Sequence, residues 1–219
     1  MKLPANRDRL SRSFYDRPTD LVARELLGKA LLRCLDGQWL GGWIVETEAY
    51  LPNGDLASHS ARGKTPGNAA MFGPPGTLYV YPIHAKCCMN TVTEAEGSGS
   101  AVLIRAIEPV WGIARMQANR GTDDLRRLSR GPAMLCQALG VDRSFDNIDL
   151  LDAKHIMIAD HGLDGSSRVT TTTRIGISKS KERKLRYFVD GSWFVSGRAR
   201  DHRTRPSRRD QLESVTFGS

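Results

Sequence analysis

Residues 46–50 read ETEAY, and His59 follows after a turn-rich interval. On a regular strand, Glu46, Glu48 and Tyr50 share one face with Leu40 and Ile44, while Trp39, Trp43 and Val45 share the other. The apolar neighbours turn at least one carboxylate toward an interior, where it must be paired or protonated. Arg105 is the candidate partner. It lies in the otherwise apolar stretch AVLIRAI, where a guanidinium needs an anion or carbonyl oxygens. A carboxylate in such a place can act as a general base or offset a developing positive charge. A purely structural Glu–Arg pair accounts for the same pattern.

Tyr50, His59, Tyr79, Tyr81 and His84 gather around one interval of the chain. Aromatic residues in strands usually belong to the core. Planar side chains arriving from two strands and a loop can also sandwich a flat ring, and stacking a base on an aromatic contributes about 1–3 kcal/mol. With 32 Lys and Arg against 24 Asp and Glu, the net charge is +8, which suits a polyanionic partner. Together these features suggest chemistry on a nucleobase taken out of its stack.

The elements that must position these residues read as α+β. TDLVARELL (residues 19–27) predicts a short helix capped by Thr19 or Asp20 and ended by Gly28. KALLRCL and QWLGGWIVETEAY flank Asp36-Gly37, a hairpin signal. Residues 51–75 form a long ordered loop, of the kind that is usually functional. TLYVYPI and SAVLIRAI predict strands. Glu108-Pro109 predicts a helix through VWGIARMQANR, with Pro109 at its first position. SRGPAMLCQALG predicts a second helix. KHIMIAD, TTRIGIS, RYFVD and SWFVS predict short strands. The expected architecture is a single compact domain around a curved antiparallel sheet with flanking helices. Residues 1–12 are expected to form an N-terminal arm, residues 13–197 the domain, and residues 198–219 a basic, flexible tail.

The 219 residues and 40% hydrophobic content support a real core. No run of about 18 apolar residues predicts a membrane span, and the opening MKLPANRDRLSRSF lacks a signal-peptide core. An intracellular protein is expected, cytoplasmic with the nucleoid in a bacterium and nuclear in a eukaryote. Cys34, Cys87, Cys88 and Cys136 contain no C-x-x-C, so reduced thiols without metal are expected. P-loop, dinucleotide, H-E-x-x-H and G-x-S-x-G signatures are absent, as is the zinc deaminase pattern. The segment TTTRIGISKSKERKLR carries six positive residues. Arg174 and Lys179 within it are candidate phosphate contacts.

In order, GWIVETEAYL, HSARGKTPGNAAMFGPPGTLYVYPI, CMN, AVLIRAIEP and GPAMLCQAL resemble the alkyladenine (3-methyladenine) DNA glycosylase family. The similarity runs from about Ser13 to about Ser196. The resemblance implies a monomeric enzyme without cofactor or metal. Such an enzyme flips a damaged purine, alkylated or deaminated, from double-stranded DNA and hydrolyses its N-glycosidic bond. It implies Glu48 as the general base for water, Arg105 as its helper, and the Ile175 carbonyl as a further water contact. Tyr50 and His59 would form one wall of the base pocket and Tyr81 the other. Asn90 and Leu103 would crowd the pocket against normal guanine. Glu46 would be structural. No lysine matches the nucleophile position, so a monofunctional enzyme is expected. One departure concerns DNA opening. His84 stands where the family carries a wedging tyrosine, in a tip one residue shorter. DNA opening is therefore expected to be weaker, or to depend on pH near neutrality through His84. A catalytically silent lesion-binding protein and a single-stranded RNA-binding module are the alternatives. The latter leaves Glu48 and Arg105 without a purpose.

Overall fold

The computed structural model describes residues 2–161 and 168–197. Two short helices, α1 (Arg12–Tyr15) and α2 (Thr19–Glu25), precede a hairpin of β1 (Ala30–Leu35) and β2 (Gln38–Tyr50). A second hairpin, β3 (Thr77–Ile83) and β4 (Lys86–Thr93), leads into the long β5 (Ser100–Trp111). Helices α3 (Ile113–Arg120) and α4 (Pro132–Leu139) follow, then the short strands β6 (Ile148–Asp149), β7 (Ile156–Ala159), β8 (Val169–Thr172) and β9 (Arg186–Val189). These strands form a strongly curled, antiparallel sheet in the order β6-β3-β4-β5-β2-β1-β7. β9 pairs with β2 beyond the end of β1, and β8 pairs with β9. The domain is therefore α+β, as the pattern of elements predicts.

The hairpin at Asp36-Gly37 forms as expected, with both residues at positive φ (50° and 78°), the geometry that matches strand twist. The curl has a local cause further along β2. A Cβ on Gly41 would lie 2.0 Å from the Leu31 carbonyl oxygen, and one on Gly42 would lie 1.8 Å from that of Glu108. Glycine alone allows β1, β2 and β5 to approach this closely.

Two bulges break the alternation that would align Leu40 and Ile44 with the carboxylates. Ile44 pairs with Ile107 and Glu46 with Ala106, so Val45 is an extra residue on β2. Thr47 then pairs with Ile104, so Arg105 is an extra residue on β5. Each extra residue reverses the facing of those that follow. Ile44, Ala49, Ile104 and Ile107 pack with Val22 of α2, Leu26 just after it, Met116 of α3, and Leu135 and Leu139 of α4, in a fully buried core. Glu46, Glu48 and Tyr50 face the other way. There the loop after β2 folds into 3-10 turns at His59–Arg62 and Pro66–Phe72 and packs Ala70 and Met71 against Tyr79, Val92 and Ala101.

Several boundaries differ from the sequence pattern. Pro18 stands before α2 without a side-chain cap, and the Thr19 hydroxyl turns to the Glu94 carboxylate. Pro109 does not open a helix. It stays in β5 opposite Gly42, next to the extra residue Val110, where a proline without an N–H fits a bulge. Helix α3 begins only after Gly112, which takes a left-handed conformation. TTRIGIS and SWFVS contribute no strand beyond Thr172 and Val189, for a reason given below. Residues 8–10 of the expected arm dock on β7, with Leu10 in the core. The expected tail, residues 198–219, lies outside the described residues.

Candidate active site

One rung of the sheet runs Tyr79, Asn90, Leu103, Glu48 and Arg186 across β3, β4, β5, β2 and β9. Directly opposed residues project to the same face. The rung therefore sets the two expected specificity residues, Asn90 and Leu103, beside the expected base, Glu48. Asn90 donates from Nδ2 to the Tyr79 carbonyl at 3.0 Å, which fixes its amide. Both Asn90 and Leu103 are buried.

Glu48 has no exposed surface and three partners. Its Oε1 accepts from the Ile175 N–H at 2.8 Å. Its Oε2 accepts from the Tyr50 hydroxyl at 3.0 Å and faces Arg105 Nη1 at 3.2 Å. A carboxylate offers about four acceptor positions. Oε2 carries a hydrogen bond and the Arg105 ion pair, while Oε1 carries one hydrogen bond and keeps an acceptor position. Burial pushes the Glu48 carboxyl above the usual carboxylate range, and the opposing pull of Arg105 and the Ile175 N–H does not cancel it. A buried, raised carboxylate with an open lone pair is suited to taking a proton from a small nucleophile. Among the described residues no three His, Cys, Asp or Glu side chains converge as metal ligands would.

Glu46 is equally buried but saturated. Its Oε1 accepts from Arg105 Nε (2.9 Å), Arg186 Nε (2.7 Å) and Ser196 Oγ (2.9 Å), and its Oε2 from the Ser196 N–H (2.6 Å). Burial alone would raise its carboxyl, yet Arg105 and Arg186 hold it below the usual range. The same contacts explain the missing strands. The backbone donors that a ladder would use at Ile175 and Ser196 go instead to the two carboxylates.

The aromatic residues gather, though without an open slot. His59 Nδ1 and the Tyr79 hydroxyl lie 2.8 Å apart. The His59 ring meets Tyr81 edge to face, with centroids at 4.5 Å and planes at 75°. A base between two rings needs them about 7 Å apart, two contacts of about 3.5 Å. The space between His59 and Tyr81 is therefore closed here. The His59 carbonyl is held by Asn68 Nδ2 at 3.0 Å. Tyr50 is backed by the Arg174 guanidinium, 4.6 Å from its ring centroid.

Arg174, expected at a phosphate, turns inward. It makes two 2.6 Å bonds to Asp55 and one of 3.0 Å to the Ala49 carbonyl, with no side-chain exposure. Lys179 is exposed, and Ser180 beside it accepts from the Leu56 N–H across to the loop. The β3–β4 turn consists of His84 and Ala85 between the paired Ile83 and Lys86. His84 has φ 51° and is exposed. Ile83, 43% exposed, alternates onto the face of Tyr79 and Tyr81.

Sequence reasoning passed over Cys88, Asp55, Arg186 and Ser196. Cys88 is opposed to Tyr81 in the β3–β4 register and is buried beside it, and counting back two from Asn90 would have found it. Nothing local marks Ser196 or Asp55.

Residues 13–193 match the family described as "Methylpurine-DNA glycosylase (MPG)". A protein of Rhodopirellula baltica is 57% identical over 93% of this chain and 88% of its own length. One of Koribacter versatilis is 47% identical, over 86% and 93%. One of Methanoculleus marisnigri is 44% identical, over 90% and 100%. Each is named "Putative 3-methyladenine DNA glycosylase". With the match spanning both carboxylates, the aromatic cluster and Arg105, the chain belongs to the methylpurine-DNA glycosylase family.

Proposed function

We propose that the protein is a monofunctional DNA glycosylase that excises damaged purines, alkylated or deaminated, from double-stranded DNA. The observation that carries this reading is the one open acceptor position on Glu48 Oε1, in a fully buried carboxylate beside the aromatic cluster. The names of the relatives support it.

In this reading the purine leaves with the electron pair of its N-glycosidic bond, and positive charge develops on the sugar. Glu48 stabilises that charge and takes a proton from the water whose oxygen attacks C1′. A cationic alkylated purine leaves neutral, a neutral deaminated purine leaves as its anion and takes a proton from solvent, and the products are a free purine and an abasic site. Arg105 holds Oε2, so that the proton goes to Oε1, and the Ile175 carbonyl is the second acceptor for the water. Water is the nucleophile, so no Schiff base forms and the strand stays intact. His59 swings from Tyr81, the base enters between Tyr81 and the wall of Tyr50 and His59, and Asn90 and Leu103 limit its edge. Ile83 and His84 at the hairpin tip enter the gap left in the duplex, where apolar side chains commonly act as wedges. Lys179 meets a phosphate.

The test is single-turnover base release from duplexes carrying one hypoxanthine, one ethenoadenine or methylated purines. Free base with strand breaks only after alkali is the expected result. Lesion binding without release from any of the three would favour a silent lesion-binding protein. Equal competition by single-stranded RNA would favour an RNA-binding module.

A further inference from the structure

Glu46 is a buried, ionised side chain that the proposed chemistry does not use. Ser196 belongs to a segment with no strand partner, yet its backbone and hydroxyl both reach the site. The contacts of these two residues converge on the arginine beside Glu48.

We propose that Glu46 and Ser196 are positioning residues that keep Arg105 on a single oxygen of Glu48 and so preserve the open acceptor position on the other. The inference rests on the glycosylase reading above. Arg105 is a planar fork with fixed donor directions. Its Nε is taken by Glu46 at 2.9 Å and its Nη2 by Ser196 Oγ at 3.0 Å. With that edge of the guanidinium anchored, it is Nη1 that faces Glu48, at 3.2 Å from Oε2. Left to itself, an arginine beside a carboxylate closes a bidentate pair that occupies both oxygens. That geometry would fill the position the water needs and make Glu48 a weaker base. Glu46 and Ser196 occupy the Nε–Nη2 edge of the fork and so fix the orientation in which Nη1 meets Oε2 rather than both oxygens. Arg186 completes the arrangement, since its Nε binds Glu46 at 2.7 Å and its Nη2 the Ser196 carbonyl at 3.0 Å. Two buried carboxylates and two buried guanidiniums also leave the cluster without net charge, which lets it stay buried.

The role predicts a change in pH dependence. Around Glu48 stand Arg105 from β5, Glu46 and Tyr50 from β2, Tyr81 from β3, Cys88 from β4, and Arg174 next to Ile175. The negative charge of Glu46 raises the Glu48 carboxyl, and Arg105 lowers it. Replacing Glu46 with glutamine removes the first influence and frees Arg105 to strengthen the second. Both move the Glu48 pKa down.

The experiment is the pH profile of single-turnover base release for wild type, Glu46→Gln, Ser196→Ala and Ser196→Thr, with thermal melting alongside. Glu46→Gln should lower the plateau rate by about 10²-fold, the scale of a small misplacement at a reacting group. Its acid limb should move to lower pH. Ser196→Ala should lose about tenfold, as for a hydrogen bond to a charged group, with a smaller shift in the same direction. Ser196→Thr should restore both. Should Glu46→Gln fail to fold, the two Ser196 variants decide the matter. Lowered melting temperatures with unmoved acid limbs would make the network a scaffold only and overturn the inference, while leaving the glycosylase reading intact. A wild type that releases no base would overturn both.

Discussion

Ile175 donates its backbone N–H to Glu48 Oε1 across 2.8 Å, joining residues 127 apart in sequence. This bond gives the two oxygens of Glu48 different surroundings. Oε2 is filled by Tyr50 and Arg105, and Oε1 keeps one free lone pair. The direction from which a proton can reach the carboxylate is therefore built into the fold.

Base release should rise with pH along an acid limb set by Glu48. Burial raises this carboxyl above its ordinary value of 4.5, and the base works only when ionised. The midpoint should therefore lie above 4.5. A limb at or below the ordinary carboxylate value would show that Glu48 is not the titrating base. Single-turnover rates across pH, with the fold monitored by circular dichroism, make the measurement.

Stability should also fall on acidification, through Glu46, whose carboxyl is shifted in the opposite direction to that of Glu48. Its folded carboxyl lies below 4.5, held there by Arg105 and Arg186 against burial. The folded state thus binds the proton less readily than the unfolded chain. The resulting stability is present above the unfolded value and lost as pH falls through the folded one. Melting temperature should drop in that acidic window in wild type. In Glu46→Gln this part of the dependence should vanish.

How much of this was legible from sequence depends on the residue. The Asp36-Gly37 turn and the pairing of a buried glutamate with Arg105 follow from local rules. The facing of Glu46 and Glu48 was right in outcome, though the parity argument behind it fails, because Val45 and Arg105 are bulge residues and no local signal announces them. Pro109 shows the same limit. A first-turn helix signal and a bulge use the same missing N–H, and only the pairing with Gly42 decides. Ile175 and Ser196 read as strand because their apolar spacing suits one, but carboxylates brought close by the fold claim their donors. Arg174 looked available for phosphate in a basic segment, and Asp55, 119 residues away, takes its guanidinium.

Breaking that pair should be expensive. Asp55→Ala would leave Arg174 buried and unpaired, a situation that costs about 3–5 kcal/mol. It would also free the loop after β2 and loosen the support under Tyr50. We expect a lower melting temperature and weaker lesion binding together. Unchanged stability would mean that Arg174 has found another anion and that Asp55 does not tether the loop.

At the hairpin tip, Ile83→Ala should weaken binding to lesion duplex by severalfold, because it removes exposed apolar area that would otherwise be covered by bases. His84→Tyr should tighten lesion binding, since tyrosine buries more surface than histidine. Titration of a fluorescent lesion duplex reads both. Affinities unaltered in both variants would move the wedge away from this turn.

The most direct measurement of the central claim compares wild type with Glu48→Gln in single-turnover base release from methylated and hypoxanthine duplexes, with lesion affinity measured in parallel. Glutamine keeps the shape and an oxygen for the Ile175 N–H, but it cannot accept the proton. Release should fall about 10²–10⁴-fold, with lesion binding retained. Release at the wild-type rate by a folded Glu48→Gln would contradict that claim.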